Sequence, residues 1–442
     1  MRMRGERRPL RIAMIGSRGV PATWGGIERH VEELGARLAS RGHEVTVFCR
    51  TNYTGPDTGP DTGPGAGGGS GTGSGEARGQ LYRGMRLRHL PTVGTKHLDA
   101  IVHSGLSTAA ALAGRFDVLH YHALGPGMLA LAPRCQPGAR AVLTVHGLDD
   151  ERAKWGLVAR SVLKTAGWLS ARVPDATIVV SRDLQRHYQE HHGRASMYIP
   201  NGVVVTPAPA TPSGVLARLG VEAGRYLLFV GRLVPEKAPD LLLRAFRRLR
   251  GEWRLVIVGD SSFTADYVKS LREQAAADPR VVLAGFVYGA ELAELYASAA
   301  CFVLPSLLEG LPLTLLEAAA HGSPVIASAI PPHVEVLGAA GPGRRLVQPG
   351  DEYGLATALE GACDDLARER GGAVALRQRV LATYQWEQAA ATTEDVYRWA
   401  LDRRRPRLTQ DHPAASAAMG MTPARLAASD TGAGAVGSGR AG

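Results

Sequence analysis

Short apolar runs alternate with stretches of helical periodicity along most of the chain. The first run, Leu10–Ile15, is bounded by Gly16 and indicates a buried strand of a parallel sheet. After a glycine-rich loop, apolar residues recur at spacings of four, three and four, at Ile27, Val31, Leu34 and Leu38, which indicates one face of an amphipathic helix. Gly42 ends this helix. Repeated alternation of this kind predicts an α/β protein with parallel sheets.

The same pattern occurs twice, before and after Thr206–Pro212, which carries three prolines in seven residues and indicates a linker. The predicted strands before it are Leu10–Ile15, Val45–Cys49, Val118–Tyr121, Ala141–Val145 and Ala176–Val180. Those after it are Leu227–Val230, Arg254–Val258, Val281–Ala284, Cys301–Leu304 and Pro324–Ala327. Because ligands of such sheets bind at the carboxyl ends of the strands, two facing sheets would share one site in the cleft between them.

These patterns predict a first domain over residues 1–205 and a second over 206–385, followed by an amphipathic helix over 386–402. Two segments lack the apolar residues that a core requires. Residues 54–80, with a repeated Gly-Pro-Asp-Thr and a Gly/Ser/Thr run, are predicted to be a flexible insertion, and residues 403–442 a disordered tail.

The amino-acid composition indicates which binding partners and which cellular compartment to expect for this protein. The net charge is +10, and the excess of basic residues lies entirely within residues 1–205. No nucleic-acid-binding motif accompanies it, so an anionic lipid or a phosphate-bearing substrate is the better expectation. No apolar run is long enough for a secretory signal or a membrane span. Cys49, Cys135, Cys301 and Cys363 form no CxxC pair and are expected to be buried and unpaired, which fits a cytoplasmic protein.

The clearest chemical motif follows the predicted strand Cys301–Leu304 and has two glutamates eight positions apart, Glu309 and Glu317. Pro312 suits the first turn of a helix. A helix that starts there would direct the free N–H groups of Leu313, Thr314 and Leu315 at an anion such as a diphosphate. The spacing alone is equally compatible with a polar connection whose glutamates are solvated.

A second motif, Gly-Arg-Leu-Val-Pro-Glu-Lys, follows the first strand of the second domain. Arg232 and Lys237 supply two cations suited to holding a diphosphate, although each alone would more often be a solvated surface charge.

Two further motifs lie in the first domain. Gly25 and Gly26 precede the first helix, where the backbone can approach a ligand closely, although a plain turn explains them as well. His146, in Thr-Val-His-Gly, ends an apolar run and is either a site residue or a satisfied core histidine. The loop over 16–26 lacks the GxGxxG spacing of dinucleotide binders, and no Walker A motif occurs in the chain.

Together with Gly-Gly-Ile-Glu-Arg-His and Ile-Pro-Asn-Gly-Val at 199–203, these motifs, in this order, resemble the retaining glycosyltransferases of family 4. The stretch Ile12–Cys49 is especially similar to the bacterial members that build exopolysaccharide or lipid-linked oligosaccharide. The resemblance covers nearly the whole folded chain. It implies the GT-B fold, in which two Rossmann-like doubly wound domains face each other across a cleft. It also implies that the helix over 386–402 crosses back to the first, acceptor-binding domain.

The resemblance assigns roles to residues. Arg232 and Lys237 would hold the donor diphosphate, Glu309 the hydroxyls of the transferred sugar, and Glu317 the ribose. Gly26 would close over the phosphates, and His146 would lie near the donor sugar. The implied reaction is same-face transfer with retention of anomeric configuration, without a cofactor, a metal ion or a dedicated nucleophile. The absence of an Asp-x-Asp motif agrees with this.

The implied partners are a nucleotide-diphosphate sugar and a glycan, polyprenyl-linked or lipid-linked acceptor, with no nucleic acid. A cytoplasmic enzyme in peripheral contact with anionic lipid at the inner face of the membrane would fit the basic first domain, with contacts near residues Arg152, Lys154, Arg160, Lys164 and Arg172. Ala238 and Ala329 depart from the family pattern, which usually has Gly and Asp there.

Three alternatives remain at this stage: another GT-B enzyme such as a sugar-nucleotide epimerase, a Rossmann-type dehydrogenase, and a non-catalytic nucleotide-binding protein. The paired glutamates disfavour the first, and the absence of GxGxxG after the first strand of either domain disfavours the second. Turnover would exclude the third.

Overall fold

The computed structural model describes residues 8–22, 25–51, 80–92, 99–147, 167–209, 211–260 and 265–402. The predicted insertion, apart from Gln80, and the predicted tail over 403–442 lie outside these residues. So do Arg152, Lys154, Arg160 and Lys164, four of the five basic residues considered for lipid contact.

The first domain is built on an eight-stranded sheet with the order β3-β4-β2-β1-β5-β6-β7-β8. All neighbouring pairs are parallel except β3 and β4, which form an antiparallel hairpin. Its strands are β1 Arg11–Ile15, β2 Glu44–Arg50, β3 Leu81–Tyr82, β4 Met85–Leu90, β5 Val118–His122, β6 Arg140–Val145, β7 Ala176–Val179 and β8 Met197–Tyr198. Most central positions are buried because helices cover both faces of such a sheet.

The second domain has a six-stranded parallel sheet with the order β11-β10-β9-β12-β13-β14. Its strands are β9 Tyr226–Val230, β10 Arg254–Val258, β11 Val281–Gly285, β12 Cys301–Leu304, β13 Val325–Ser328 and β14 Arg344–Val347. The strand order reverses between β9 and β12, and the loops that follow these two strands carry the principal charged motifs. This reversal is where an open α/β sheet forms a ligand crevice.

The helices connect consecutive strands and enclose the sheets. They are α1 Gly26–Ser40, α2 Asp99–Ala113, α3 Leu124–Gly127, α4 Arg182–His192, α5 Val215–Leu219, α6 Pro239–Arg248, α7 Ala265–Ala276, α8 Gly289–Ser298, α9 Leu313–Ala320, α10 Pro331–Leu337, α11 Glu352–Asp364, α12 Leu366–Thr383 and α13 Trp386–Leu401. Short 3₁₀ segments occupy Met128–Cys135 and Pro235–Lys237. Among the described helices, none combines the length and apolar character that crossing a membrane requires.

The last helix, α13, packs on the first domain although it follows the second in sequence. Trp386 and Tyr397 belong to the same buried cluster as Ile12 and Val31 of the first domain. The Tyr397 hydroxyl lies 2.6 Å from His120 Nδ1, and Arg140 Nε donates to the Ala400 carbonyl at 2.9 Å. The helix therefore completes the core of the first domain.

Removing the Tyr397 hydroxyl tests this contact. Tyr397→Phe leaves the buried His120 Nδ1 without its partner, which typically costs about 1–3 kcal/mol of unfolding free energy. Urea unfolding followed by tryptophan fluorescence measures the loss. The matched control is Tyr353→Phe, on a side chain that is largely exposed, with an expected change within about 0.5 kcal/mol. Equal effects of the two substitutions would contradict the assigned contact.

Two details differ from the sequence expectations. The predicted strands omitted β3, β4, β8 and β14, because Arg alternates with apolar residues in Met85–Leu90 and a pair of arginines opens Arg344–Val347. The four cysteines are unpaired as expected, but only Cys49 and Cys301 are buried, whereas Cys363 is partly buried and Cys135 is exposed. It lies at the end of a 3₁₀ segment on the surface, where a neighbouring apolar run gives no information on burial.

Candidate active site

The facing edges of the two sheets form the walls of a narrow cleft. Gly310, after β12, packs so closely on the first domain that an added Cβ atom would overlap the carbonyl oxygen of His146. An added Cβ at Gly26, at the start of α1, would lie 3.6 Å from Leu313 Cδ1 of the second domain. These two contacts bring the motifs of both domains to one place.

An ion pair joins the two charged motifs of the second domain. Lys237 lies in the 3₁₀ segment after β9, and its Nζ is 2.6 Å from Oε1 of Glu309, in the loop after β12. Both side chains are mostly buried, with 13% and 12% of their surface exposed. Ser306 Oγ also donates to Glu309 Oε1, at 2.8 Å. The two loops therefore present one fixed cation and one fixed carboxylate to the cleft.

The electrostatics keep Glu309 ionised. Burial alone would raise the pKa of this carboxyl group. The positive charge of the Lys237 ammonium group lowers it, and the net result is a pKa below the usual value. His333, at the start of α10, also faces this carboxylate, and burial lowers the pKa of its imidazole to about 4. Glu309 is thus an acceptor-only group at neutral pH, suited to accepting hydrogen bonds from hydroxyl groups.

The start of α9 provides the helix N-terminus expected after Glu309. The sequence predicted free N–H groups at Leu313, Thr314 and Leu315. The prediction for Leu315 is wrong, because its N–H donates to the Pro312 carbonyl at 3.2 Å in a tight first turn. The Thr314 hydroxyl, in contrast, is buried without a hydrogen-bond partner among the residues described. This end of the helix offers backbone N–H groups and a hydroxyl to a ligand in the cleft.

Glu317 lies one turn further along α9. The Tyr296 hydroxyl donates to its Oε2 at 3.1 Å. Burial raises the pKa of Glu317, and the positive charge of Arg29, on α1 of the first domain, acts in the opposite direction. The charge of Arg29 therefore acts on this carboxylate from the other domain, an interaction that nothing in the sequence predicts.

Arg232 and Gly25 occupy the outer parts of the site. Arg232 follows β9 in the same loop as Lys237, with an exposed side chain. Gly25 has φ 82°, and an added Cβ would lie 2.9 Å from Glu28 Oε2, so the tight entry into α1 requires glycine. Ala238 adopts a left-handed φ of 48°, the conformation for which glycine is the favoured residue.

His146 is surrounded by other histidines. Its Nε2 lies 3.4 Å from Nδ1 of His122, at the end of β5, and its ring centre is 4.5 Å from that of His30 on α1. Neither His30 nor His122 was predicted from the sequence as a site residue. A signal for His122 was present in the His-Tyr-His spacing of β5, which places His120 and His122 on one side of the strand.

These histidines make the stability of the protein pH-dependent. Burial holds the pKa of His30 at about 4 and the pKa values of His122 and His146 well below the usual 6.5. Between pH 4 and 6.5 the unfolded chain therefore binds more protons, so the unfolding free energy falls on acidification through this window. The low pKa of His30 alone corresponds to about 3 kcal/mol of unfolding free energy that is lost when acidification through this window is complete.

Urea unfolding of the wild type and of His30→Gln at pH 7, 6 and 5 measures this effect. We expect a shallower pH profile in the variant, because glutamine does not titrate. Parallel profiles would contradict a neutral, buried His30.

Two family models match the chain. "Glycosyltransferase Family 4" matches residues 24–206, and "Glycosyl transferases group 1" matches residues 224–365. A D-inositol 3-phosphate glycosyltransferase from Nocardioides sp. is 28% identical over 437 residues, covering 88% of this chain and 90% of the relative.

Solved structures show the same architecture. Sucrose-phosphate synthase from Thermosynechococcus elongatus has a TM-score of 0.72 at 24% identity and covers 89% of this chain and 98% of its own. Anabaena HepE in complex with UDP-glucose has a TM-score of 0.68 at 17% identity, with coverage of 88% and 100%.

The two facing α/β domains therefore have the GT-B fold of sugar-transferring enzymes, as the resemblance implied. The chain is a glycosyltransferase, with a family 4 glycosyltransferase domain over residues 24–206 and a group 1 glycosyltransferase domain over residues 224–365. The named relatives do not favour the epimerase, dehydrogenase or non-catalytic alternatives.

Proposed function

We propose that this enzyme is a retaining transferase that moves a sugar from a nucleotide-diphosphate donor to a glycan, polyprenyl-linked or lipid-linked acceptor. The observation that carries the proposal is the Lys237–Glu309 pair, which lies beside the start of α9 at the carboxyl edge of the second sheet. A cation and a helix N-terminus suit a diphosphate, and an ionised carboxylate beside them suits sugar hydroxyls.

In this proposal the donor lies along the second domain. Lys237, Arg232 and the first turn of α9 hold the diphosphate, while Glu309 accepts hydrogen bonds from the transferred sugar. Glu317 accepts hydrogen bonds from the ribose through the oxygen that Tyr296 leaves available. Gly25 and Gly26 allow the first domain to approach the phosphates, and His146 lies near the sugar.

The chemical step exchanges two bonds at the anomeric carbon. The bond from this carbon to the diphosphate oxygen breaks, and a bond to the acceptor oxygen forms on the same face of the ring. The proton of the acceptor hydroxyl passes to the departing diphosphate. Lys237 stabilises the negative charge that develops on the leaving group, so catalysis comes mainly from fixed charges. The step requires no metal ion, cofactor or enzyme nucleophile.

A donor screen tests this assignment. The protein is incubated with UDP-, GDP-, dTDP- and ADP-sugars, and nucleotide release and thermal stabilisation are followed. UDP-glucose is a natural first choice, since HepE binds it. We expect one donor to stabilise the wild type and to be hydrolysed slowly. If no sugar nucleotide binds at about millimolar concentration, the donor site is wrongly assigned.

We further propose that the enzyme acts in the cytoplasm, in peripheral contact with anionic lipid. Leu131 and Trp168 of the first domain are half exposed, at 52% and 51%. Arg172 stacks on the Trp168 ring, 4.5 Å from its centre, and Arg134, three residues after Leu131, donates to the Val173 carbonyl. Exposed apolar and basic groups on one face suit an anionic membrane surface.

Vesicle sedimentation tests the lipid contact. We expect the wild type to bind vesicles that contain phosphatidylglycerol more strongly than purely zwitterionic vesicles, and Trp168→Ser to weaken this preference. Equal binding to both vesicle types would contradict the proposal.

A further inference from the structure

The first-domain wall of the cleft contains three imidazoles that the proposed sugar transfer does not fully use. His30, His122 and His146 come from α1, the end of β5 and the loop after β6, and we call them the histidine trio. One ring nitrogen from each lies within 4.8 Å of the others, and His122 Nδ1 and His146 Nε2 are 3.4 Å apart. His30 and His122 are buried, whereas His146 is half-buried and faces the cleft.

A neighbouring residue orients the first of these rings. His30 Nδ1 lies 2.6 Å from Oδ1 of Asn201, in the loop after β8. Because an amide oxygen only accepts, Nδ1 carries the proton and Nε2 keeps a free lone pair. This Nε2 is buried and has no hydrogen-bond partner within the described ranges. A hydrogen bond on the far nitrogen is the usual means by which proteins orient a metal-binding histidine.

The fourth histidine of this region is occupied elsewhere. His120 stacks near His122, with ring centres 4.2 Å apart. Its Nδ1 contacts the Tyr397 hydroxyl at 2.6 Å, and its Nε2 contacts Thr144 Oγ1 at 2.7 Å. Both nitrogens of His120 are therefore used in the core, which limits the cluster to three available imidazoles.

We propose that the histidine trio is a binding site for Zn²⁺, with three imidazole ligands and a fourth position open to the cleft. Zinc–nitrogen distances of about 2.0–2.1 Å in a tetrahedron place the ligand nitrogens ~3.3–3.4 Å apart. The His122–His146 pair already has this separation, and the His30 nitrogen, which lies within 4.8 Å of the other two, must approach them by about 1.5 Å at most. Three nitrogen ligands without a carboxylate favour zinc over magnesium or calcium.

Zinc at this site would inhibit the enzyme. This consequence rests on the proposed function, in which His146 lies near the donor sugar and no metal takes part in transfer. The His146 backbone contacts Gly310, the neighbour of Glu309, so an ion held by the His146 ring occupies space between the trio and the donor loop. Zinc and the sugar nucleotide are therefore expected to compete.

Calorimetry on the full chain tests the site directly. The exposed helix α4 carries His187 and His191 with ring centres 4.3 Å apart, a pair that could also capture zinc. All measurements therefore use a His191→Gln background, treated with a chelator and then titrated with Zn²⁺. We expect one ion per chain, and a tetrahedral visible spectrum when Co²⁺ replaces Zn²⁺.

Substitutions distinguish the proposed zinc ligands from the residue that orients one of them. His122→Gln and His30→Gln each remove a ligand and should weaken zinc binding at least about 100-fold, while loss of an orienting partner in Asn201→Ala should cost about 10- to 100-fold. Asn201→Asp keeps an acceptor for His30 Nδ1 and should restore binding. Circular dichroism and thermal unfolding show which variants fold, and any one folded ligand variant suffices for the comparison.

Absence of saturable one-to-one binding in the His191→Gln background would overturn the site, as would unchanged affinity in a folded His30 or His122 variant. Competition with the donor is measured separately. If zinc binds through the trio without displacing the donor, the metal site stands and the placement of the donor sugar near His146 fails.

Discussion

Replacement of Lys237 by alanine should lower the transfer rate by about 100- to 1,000-fold, the usual cost of removing one group that stabilises developing charge. The substitution removes the cation proposed for the leaving diphosphate, and it also leaves Glu309 buried without its ion-pair partner. Breaking a buried pair in this way typically costs about 3–5 kcal/mol of stability. Steady-state kinetics with the donor found in the screen, together with thermal unfolding, measure both effects.

A double variant distinguishes a loss of catalysis from a loss of stability. In Lys237→Ala/Glu309→Gln the uncompensated charge is gone, so most of the lost stability should return while activity stays low. Lys237→Arg keeps the positive charge and should retain part of the activity, since its geometry differs from that of an ammonium group. Recovery of activity in the double variant would show that Lys237 acts only as a structural partner of Glu309.

Gly310→Ala should reduce kcat/KM by about 100-fold and should also lower stability, because the added methyl group meets backbone atoms of the first domain rather than a flexible side chain. The added methyl group overlaps the His146 carbonyl oxygen, so the Glu309 loop must move away from the first domain. A displacement of about 1 Å of a positioning group can cost a factor of this size. The comparison is Gly341→Ala, where an added Cβ meets nothing within 4 Å. Wild-type kinetics in Gly310→Ala would mean that close contact between the two loops is not needed for turnover.

Most of the fold follows from local patterns in the sequence. All ten predicted strands are present within one or two residues, because buried parallel strands are short apolar runs between glycines and polar residues. Strand β4 was missed because its alternation of Arg and apolar residues resembles an exposed segment, although it is hydrogen-bonded on both sides.

The site was only partly predictable. Lys237 and Glu309 stand next to Gly and Pro at the ends of strands, so sequence motifs point to both, but only the fold shows that they pair. His30, His122 and Asn201 come from three distant parts of the chain, and no local spacing relates them. The role of the Arg29 charge beside Glu317 likewise depends on how the two domains approach each other.

The path of the chain affects the order in which the protein can fold during synthesis. Helix α13 supplies Trp386, Ala390 and Tyr397 to the core of the first domain. The chain returns to the first domain close to the point where it left that domain, since the Val203 N–H donates to the Tyr384 carbonyl at 2.9 Å. The second domain can bury its own sheet as soon as residue 383 has left the ribosome. The first domain, although translated first, keeps an apolar face uncovered until the last helix emerges. The nascent enzyme therefore has its longest exposure to aggregation and to chaperones at its amino-terminal half.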